Sequence, residues 1–118
     1  MEAFSATLAN DLSLLRGLRE SLASWLENAG ASVEALSSIV LATHEATANA
    51  IQYGDTDGPV TVTATPDPDG GFLVAVRNDG NWKKPELGSS GRGLPMMREL
   101  MSDVGIQPGT VVRLRKSL

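Results

Sequence analysis

The chain has 118 residues, of which 42% are hydrophobic, and its 14 acidic and 10 basic side chains give a formal net charge of −4. These values predict a single globular domain over residues 1–118 and argue against direct binding of nucleic acid. The lack of cysteine excludes disulfides and thiolate chemistry, and the one histidine, His44, cannot hold zinc by itself. No apolar run is long enough to cross a membrane and the first residues lack a signal-peptide pattern, so we expect a cytoplasmic protein without membrane contact.

The first third of the chain predicts a strand and a helix. Residues 3–8 alternate loosely between apolar and polar side chains, which indicates a short strand. Asn10 or Asp11 can cap a following helix, and Gly30 marks its end because glycine tolerates the left-handed conformation. Between them a leucine stripe recurs at helical spacing, and it predicts core packing. The stripe consists of Leu12, Leu15, Leu18 or Arg19, Leu22 and Leu26.

A second helix, which Ser32 can cap and which ends near Tyr53, carries a carboxylate and a carboxamide one turn apart. Glu45 and Asn49 share one helical face because residues at i and i+4 stand above one another. Small alanines surround them, so a ligand could approach this face closely. A carboxylate can accept a proton, and an amide oxygen is a ligand suited to Mg²⁺. By itself, such a pair is more often a solvated helix face than a site.

Two strands of alternating residues follow at 60–65 and 72–78, separated by a turn rich in proline, aspartate and glycine, which is typical of a hairpin. Successive side chains of a strand point to opposite faces of the sheet. If Val76 faces the helices, Asn78 faces the same interior while Asp79 points away. The sequence therefore predicts that Asn78 lies on the inner face.

The last third of the chain contains a glycine-rich entry into a third predicted helix, Pro95 to Met101. Its motif is Gly91-Arg92-Gly93-Leu94, and backbone amides at such a helix start can bind phosphate oxygens. Glycines also serve ordinary tight turns, so the motif alone is weak evidence. Residues 104–106 and 111–114 then predict two closing strands around a turn that contains Thr110.

Four features stand in a fixed order: E-x-x-x-N on a helix, Asn78-Asp79-Gly80 at a strand end, the Gly91 helix start, and Gly-Thr before a strand. This order resembles the ATP-binding domain of the GHKL superfamily, which histidine kinases, gyrase, Hsp90 and MutL share, and it covers roughly residues 4–114. The small size and the stretch 91–101 are most similar to the bacterial anti-sigma-factor serine/threonine kinases. The resemblance implies an α/β (α+β) two-layer sandwich of the Bergerat type, with a mixed, mostly antiparallel sheet covered on one face by about three helices.

The resemblance also implies ATP and Mg²⁺ as cofactors and a role for each motif. Glu45 matches the general base that activates a substrate serine, and Asn49 matches the Mg²⁺ ligand. The nucleotide contacts that it implies fall at Asn49, Asn78, Gly80, Gly91, Arg92, Gly93, Leu94 and Thr110. One departure concerns Asn78, which stands where the family's D-x-G motif begins with aspartate. Because charge-assisted hydrogen bonds are roughly twice as strong as neutral ones, we expect nucleotide binding weakened by on the order of 1 kcal/mol.

The implied function is that of an anti-sigma factor with kinase activity. Such a protein binds a sigma factor and phosphorylates a serine of a STAS-domain anti-sigma factor antagonist, and the family implies a homodimer. A different interpretation is a weakened or degenerate nucleotide-binding module that works by protein–protein binding. The same residues are also compatible with the catalytic domain of a histidine kinase and with a domain of a larger regulator.

Overall fold

The computed structural model describes residues 2–53, 58–68, 70–82, 100–101, 103–107 and 109–116. Within these ranges two long helices pack against a five-stranded sheet. In chain order the elements are β1 (Phe4–Leu8), a 3₁₀ turn (Leu12–Leu14), α1 (Leu15–Asn28), α2 (Val33–Tyr53), β2 (Val60–Pro66), β3 (Phe72–Trp82), β4 (Asp103–Gln107) and β5 (Gly109–Lys116).

The strands lie in the order β1-β2-β3-β5-β4, and every described pair is antiparallel. The expected α+β fold class is confirmed, although no described pair supplies the parallel component of the expected mixed sheet. Of the third predicted helix, only Leu100 and Met101 are among the described residues, and Leu100 is helical. No helix in the described part of the chain is both long and apolar enough to span a membrane.

The core forms between the helices and one face of the sheet. From Val60 to Ala64 of β2 and from Phe72 to Asn78 of β3 every second residue is buried, so one side of each strand faces the helices, as the alternation predicts. Leu22 and Leu26 of α1 are completely buried, and each contributes about 1.5–3 kcal/mol through its removal from water. Leu12 is the exception within the predicted stripe, since it lies in the 3₁₀ turn and is 43% exposed.

The helix boundaries follow the predicted capping chemistry. The side chain of Asp11 accepts a hydrogen bond from the Ser13 amide at the 3₁₀ turn that precedes α1. Gly30 has a φ of 87°, a conformation that disfavours side chains with a Cβ, and it directly follows α1 and its cap. Ser32 Oγ accepts from the amide of Ala35 at 3.1 Å, which satisfies one of the free amide donors at the start of α2.

The described residues near the C-terminus are joined to the core at residues 100–101. Met101 is buried, and Lys116 Nζ of β5 donates a hydrogen bond to the Leu100 carbonyl at 2.8 Å. A lysine at the last carbonyls of a helix also complements the negative end of the helix dipole. These contacts join the last two residues of the predicted third helix to the rest of the described structure.

Candidate functional site

The α2 helix presents a small, partly polar surface toward the sheet. Ala42, Ala46 and Ala50 are buried along it, and their size brings the helix backbone close to the strands. Asn49 is only 4% exposed, whereas Glu45, one turn earlier, is half-buried. The helix therefore places the predicted proton acceptor nearer to solvent and the predicted metal ligand deeper.

The Asn49 side chain forms no hydrogen bond with another residue of the described part of the chain. The described residues contain no cluster of three or more histidine, cysteine, aspartate or glutamate side chains that could hold a metal. One amide oxygen fits Mg²⁺ in the mode in which phosphate oxygens and water supply the remaining ligands.

Asn78 of β3 lies on the inner face of the sheet, as strand parity predicts. It is 2% exposed, it pairs with Val60 of β2, and its inner-face neighbours Val74 and Val76 are also buried. Its Nδ2 donates a hydrogen bond to the carbonyl oxygen of Ala50 at 3.0 Å. A carbonyl can only accept, so this contact also assigns which end of the amide faces the helix.

The ladder between β3 and β5 is interrupted at the same place. Arg77 pairs with Val111, and the next pair joins Trp82 to Gly109. Residues 78–81 of β3 therefore stand opposite Thr110 alone. Irregularities of this kind disrupt the ladder locally and are frequent beside functional sites. The backbone thus brings Asn78, Gly80 and Thr110, which the sequence predicts as nucleotide contacts, to one break in the sheet.

A second contact joins the helices next to Glu45. Arg19 of α1 donates from Nη1 to Nδ1 of His44 at 3.0 Å, because a guanidinium is always protonated and has no acceptor. Burial lowers the pKa of His44 from its ordinary 6.5, and the Arg19 charge lowers it further, while the Glu45 carboxylate acts in the opposite direction. The imidazole is therefore held neutral, with its proton on Nε2.

The sequence offered no sign of this contact. His44 attracts attention there only as a lone histidine, and its partner is 25 residues away. Arg19 appears there only as an alternative to Leu18 in the stripe of the first helix, with no partner indicated. No periodic pattern indicates which residue of α1 meets which residue of α2, so only the packed helices identify the pair.

The predicted phosphate-binding motif lies outside the described residues. This concerns Gly91, Arg92, Gly93 and Leu94. The backbone of Gly80 and Thr110 is described, and it places them at the interrupted ladder. The described part of the candidate site is therefore the surface between α2 and β3, which we call the α2–β3 site and which contains Glu45, Asn49 and Asn78.

A family model described as the histidine kinase-like ATPase domain matches residues 8–116. The chain belongs to this family. This histidine kinase-like ATPase domain is also similar to the solved structure of the RsbU and RsbW domains of Rv1364c from Mycobacterium tuberculosis, with 28% sequence identity and a TM-score of 0.83. The match covers 100% of this chain and 33% of the solved one, so the chain spans about a third of the length of that structure.

Proposed function

We propose that this histidine kinase-like ATPase domain is an ATP- and Mg²⁺-dependent serine/threonine protein kinase that acts as an anti-sigma factor. The observation that carries the proposal is the geometry of the α2–β3 site. Glu45 and Asn49 share a face of α2, and Asn78 of β3 is hydrogen-bonded to Ala50, the residue beside Asn49. The proposal is supported because the hydrogen bond from Asn78 joins the interrupted strand to the helical turn that contains Asn49, one turn after Glu45.

The proposed reaction assigns one task to each residue. The hydroxyl oxygen of a substrate serine bonds to the γ-phosphorus of ATP, the bond from that phosphorus to the bridging oxygen of ADP breaks, and Glu45 accepts the hydroxyl proton. Asn49 would be the protein ligand of Mg²⁺, which would supply neutralisation of the phosphate charge when bound. Phosphoryl transfer depends mainly on positioning and charge neutralisation, which a site on a rigid helix can provide.

The nucleotide would extend from β3 toward the glycine-rich motif. Asn78, Gly80 and Thr110 would receive the adenine at the interrupted ladder. The amides of Gly91, Gly93 and Leu94, together with Arg92, would contact the phosphates. The uncharged amide at Asn78 supports a nucleotide affinity below that of a site with aspartate at this position.

The partners follow from the resemblance and from the solved relative. The solved structure contains RsbU and RsbW domains of one protein, which supports a regulator that acts through binding to further proteins. We propose a sigma factor and a STAS-domain anti-sigma factor antagonist as partners, with the serine on the antagonist. A cytoplasmic homodimer, and a place within a larger regulator, belong to the same proposal.

Two variants on α2 and one control test the kinase. We expect Glu45→Gln to bind Mg²⁺–ATP like the wild type but to phosphorylate the antagonist on the order of 10²–10⁴ times more slowly, because the proton acceptor is lost. Asn49→Ala should weaken nucleotide binding only when Mg²⁺ is present. Glu27→Gln, at an exposed position of α1, is the matched control and should change neither quantity. Equal phosphorylation by wild type and Glu45→Gln would contradict the assignment of the base.

A second candidate function is a nucleotide-independent binding module. One observation favours this function. The amide nitrogen of Asn78, at a predicted adenine contact, already donates a hydrogen bond to the Ala50 carbonyl within the protein. Calorimetry separates the two functions: heat of binding with ATP and Mg²⁺ supports the kinase. No binding at millimolar nucleotide, with the partner proteins still bound, would support the module instead.

A further inference from the structure

We propose that His44 contacts the protein substrate and that Arg19 is the positioning residue for this histidine. Nε2–H of His44 would donate a hydrogen bond to a main-chain carbonyl of the segment that carries the phosphoacceptor serine. Arg19 would hold the imidazole in the tautomer that this contact requires. The substrate contact rests on the proposed function, because it is defined by a serine that approaches Glu45. The positioning of His44 by Arg19 does not rest on it.

The first step of the argument is the location of the hydrogen on the imidazole. Arg19 Nη1 lies 3.0 Å from His44 Nδ1, and a guanidinium can only donate, so Nδ1 accepts and carries no hydrogen. In a neutral histidine the hydrogen bond at one ring nitrogen decides the role of the other. The contact with α1 therefore makes Nε2 of His44 a hydrogen-bond donor.

The second step is the charge around the ring. A cationic donor at Nδ1 polarises the imidazole and strengthens Nε2–H as a donor, and the contact is partly buried. Burial and the Arg19 charge lower the pKa of His44, whereas the Glu45 carboxylate acts in the opposite direction, so this carboxylate lies within electrostatic reach of the ring. The neighbouring charges of α1, Arg16 and Glu20, pair with each other at 3.2 Å.

The third step is the position of His44 on α2. Within the described stretch 42–47, His44 and Glu45 are the two residues that are partly exposed, and the other four are buried. Consecutive residues of a helix are separated by about 100° around its axis and by about 3.8 Å between their Cα atoms. A protein segment that brings a serine hydroxyl to Glu45 therefore passes beside His44. Its main-chain carbonyls are acceptors close to that hydroxyl, since every residue has one.

A different role for the pair is a connection between α1 and α2 that stabilises the fold and does not touch the substrate. The two roles predict different results. Loss of a connection lowers the stability of the protein, whereas loss of a substrate contact raises the KM for the protein substrate and leaves the KM for ATP unchanged. The experiments therefore measure the tautomer, the stability and both KM values.

The first experiment is nitrogen NMR of the imidazole, on protein without a histidine tag. His44 is the one histidine of the chain, so its signals need no assignment. At about pH 7.5, one unit above the ordinary pKa, the wild type should show a single neutral tautomer with its hydrogen on Nε2. Arg19→Met should show a mixture of the two tautomers. Arg16→Met removes an exposed arginine of the same helix and is the matched control, which should keep the wild-type spectrum.

A wild type with the hydrogen on Nδ1 would overturn the positioning by Arg19. An Arg19→Met spectrum equal to that of the wild type would overturn it as well.

The second experiment measures steady-state phosphorylation of a purified STAS-domain antagonist. His44→Met removes the donor and keeps an apolar side chain of similar length. It should raise the KM for the antagonist about three- to tenfold, which is the contribution of one hydrogen bond, and should leave kcat and the KM for ATP near the wild-type values. His44→Gln keeps an acceptor for Arg19 and a donor for the substrate, so it should stay within about twofold of the wild type.

A double-mutant cycle tests whether Arg19 acts through His44. Arg19→Met should raise the same KM, and the double variant with His44→Met should be no worse than His44→Met alone. Additive effects would give Arg19 a contact of its own and overturn its positioning role. Urea unfolding accompanies each variant, and His44→Leu or Arg19→Leu replaces a variant that does not fold.

The outcomes separate this proposal from the proposed function. An active wild type whose KM for the antagonist is unchanged in His44→Met, with lower stability of the variant, would refute the substrate contact and leave the pair as a connection between the helices. A wild type that transfers no phosphate to the antagonist would refute the proposed function and the substrate contact together. The NMR spectra would then still decide whether Arg19 positions His44.

Discussion

Replacement of Thr43 by valine should stabilise this protein. Thr43 of α2 is 1% exposed, and its hydroxyl oxygen has no hydrogen-bond partner in the described structure. Thr47, one turn later, is equally buried, but its hydroxyl donates to the Thr43 carbonyl at 2.7 Å. The two threonines therefore form a matched pair in which only one hydroxyl is satisfied by a described residue.

The expected magnitude follows from that difference. An unsatisfied buried polar group costs about 1–3 kcal/mol, and valine has nearly the same shape and the same branching at Cβ. We expect Thr43→Val to raise the free energy of unfolding by about 1 kcal/mol, which is about 4 °C in melting temperature for a chain of this length. Thr47→Val removes a hydrogen bond worth about 0.5–1.5 kcal/mol and should be neutral or destabilising.

Urea unfolding of the wild type and both variants gives the free energies of unfolding directly, provided that the dependence of the free energy on urea concentration has the same slope in all three proteins. The sign of the difference between the two variants is the decisive result. If Thr43→Val were destabilised as much as Thr47→Val, the hydroxyl of Thr43 would have a partner in solution and the reasoning would be refuted.

Three further predictions concern the helices. Burial and the Arg19 charge lower the pKa of His44 below 6.5 in the folded state. As the pH falls, the unfolded chain therefore binds a proton at this histidine at a higher pH than the folded chain does. Stability should therefore be constant above about pH 6.5 and fall as the pH decreases, and urea unfolding should show a weaker decrease for His44→Gln. Leu22→Ala, at a fully buried position, should cost about 2–5 kcal/mol in the same assay. Ser32→Ala removes the cap of α2 and should cost about 1 kcal/mol, measured in the same way.

The predictions for Leu22 and Ser32 each have a control at an exposed position. Leu14→Ala changes an exposed leucine and should stay within about 0.5 kcal/mol of the wild type. Ser24→Ala changes an exposed serine inside α1, where alanine is the better helix former, and should not destabilise. Stability that rises on acidification below pH 6.5 would contradict the assignment of His44 as a neutral acceptor.

Local patterns in the sequence predicted most of the elements. The leucine spacing predicted α1, and Asp11, Gly30 and Ser32 marked helix boundaries, because capping depends on neighbours within a few residues. The alternation of β2 and β3 predicted which strand face is buried. The family was also readable, since its motifs are short and stand in a fixed order.

The end of β3 differs from its prediction. The alternating run stopped at Asn78, and the residues that follow resemble a turn, yet the strand continues to Trp82. The reason is the interrupted ladder, in which residues 78–81 stand opposite Thr110 before pairing resumes with Gly109. An irregular strand breaks the period of two, so the sequence signal ends before the strand does.

The sequence by itself determined the helical and strand periods, the caps and the residue types of the candidate site, because these depend on spacings of two to four residues. Only the tertiary structure decided which groups meet. The Asn78 amide reaches a carbonyl 28 residues away, and Arg19 reaches His44 across 25 residues. No local spacing specifies such contacts, since they result from how α1, α2 and the sheet pack. For that reason Asn78 resembles a weakened aspartate in the sequence, whereas in the fold its Nδ2 donates a hydrogen bond to the Ala50 carbonyl in the last turn of α2.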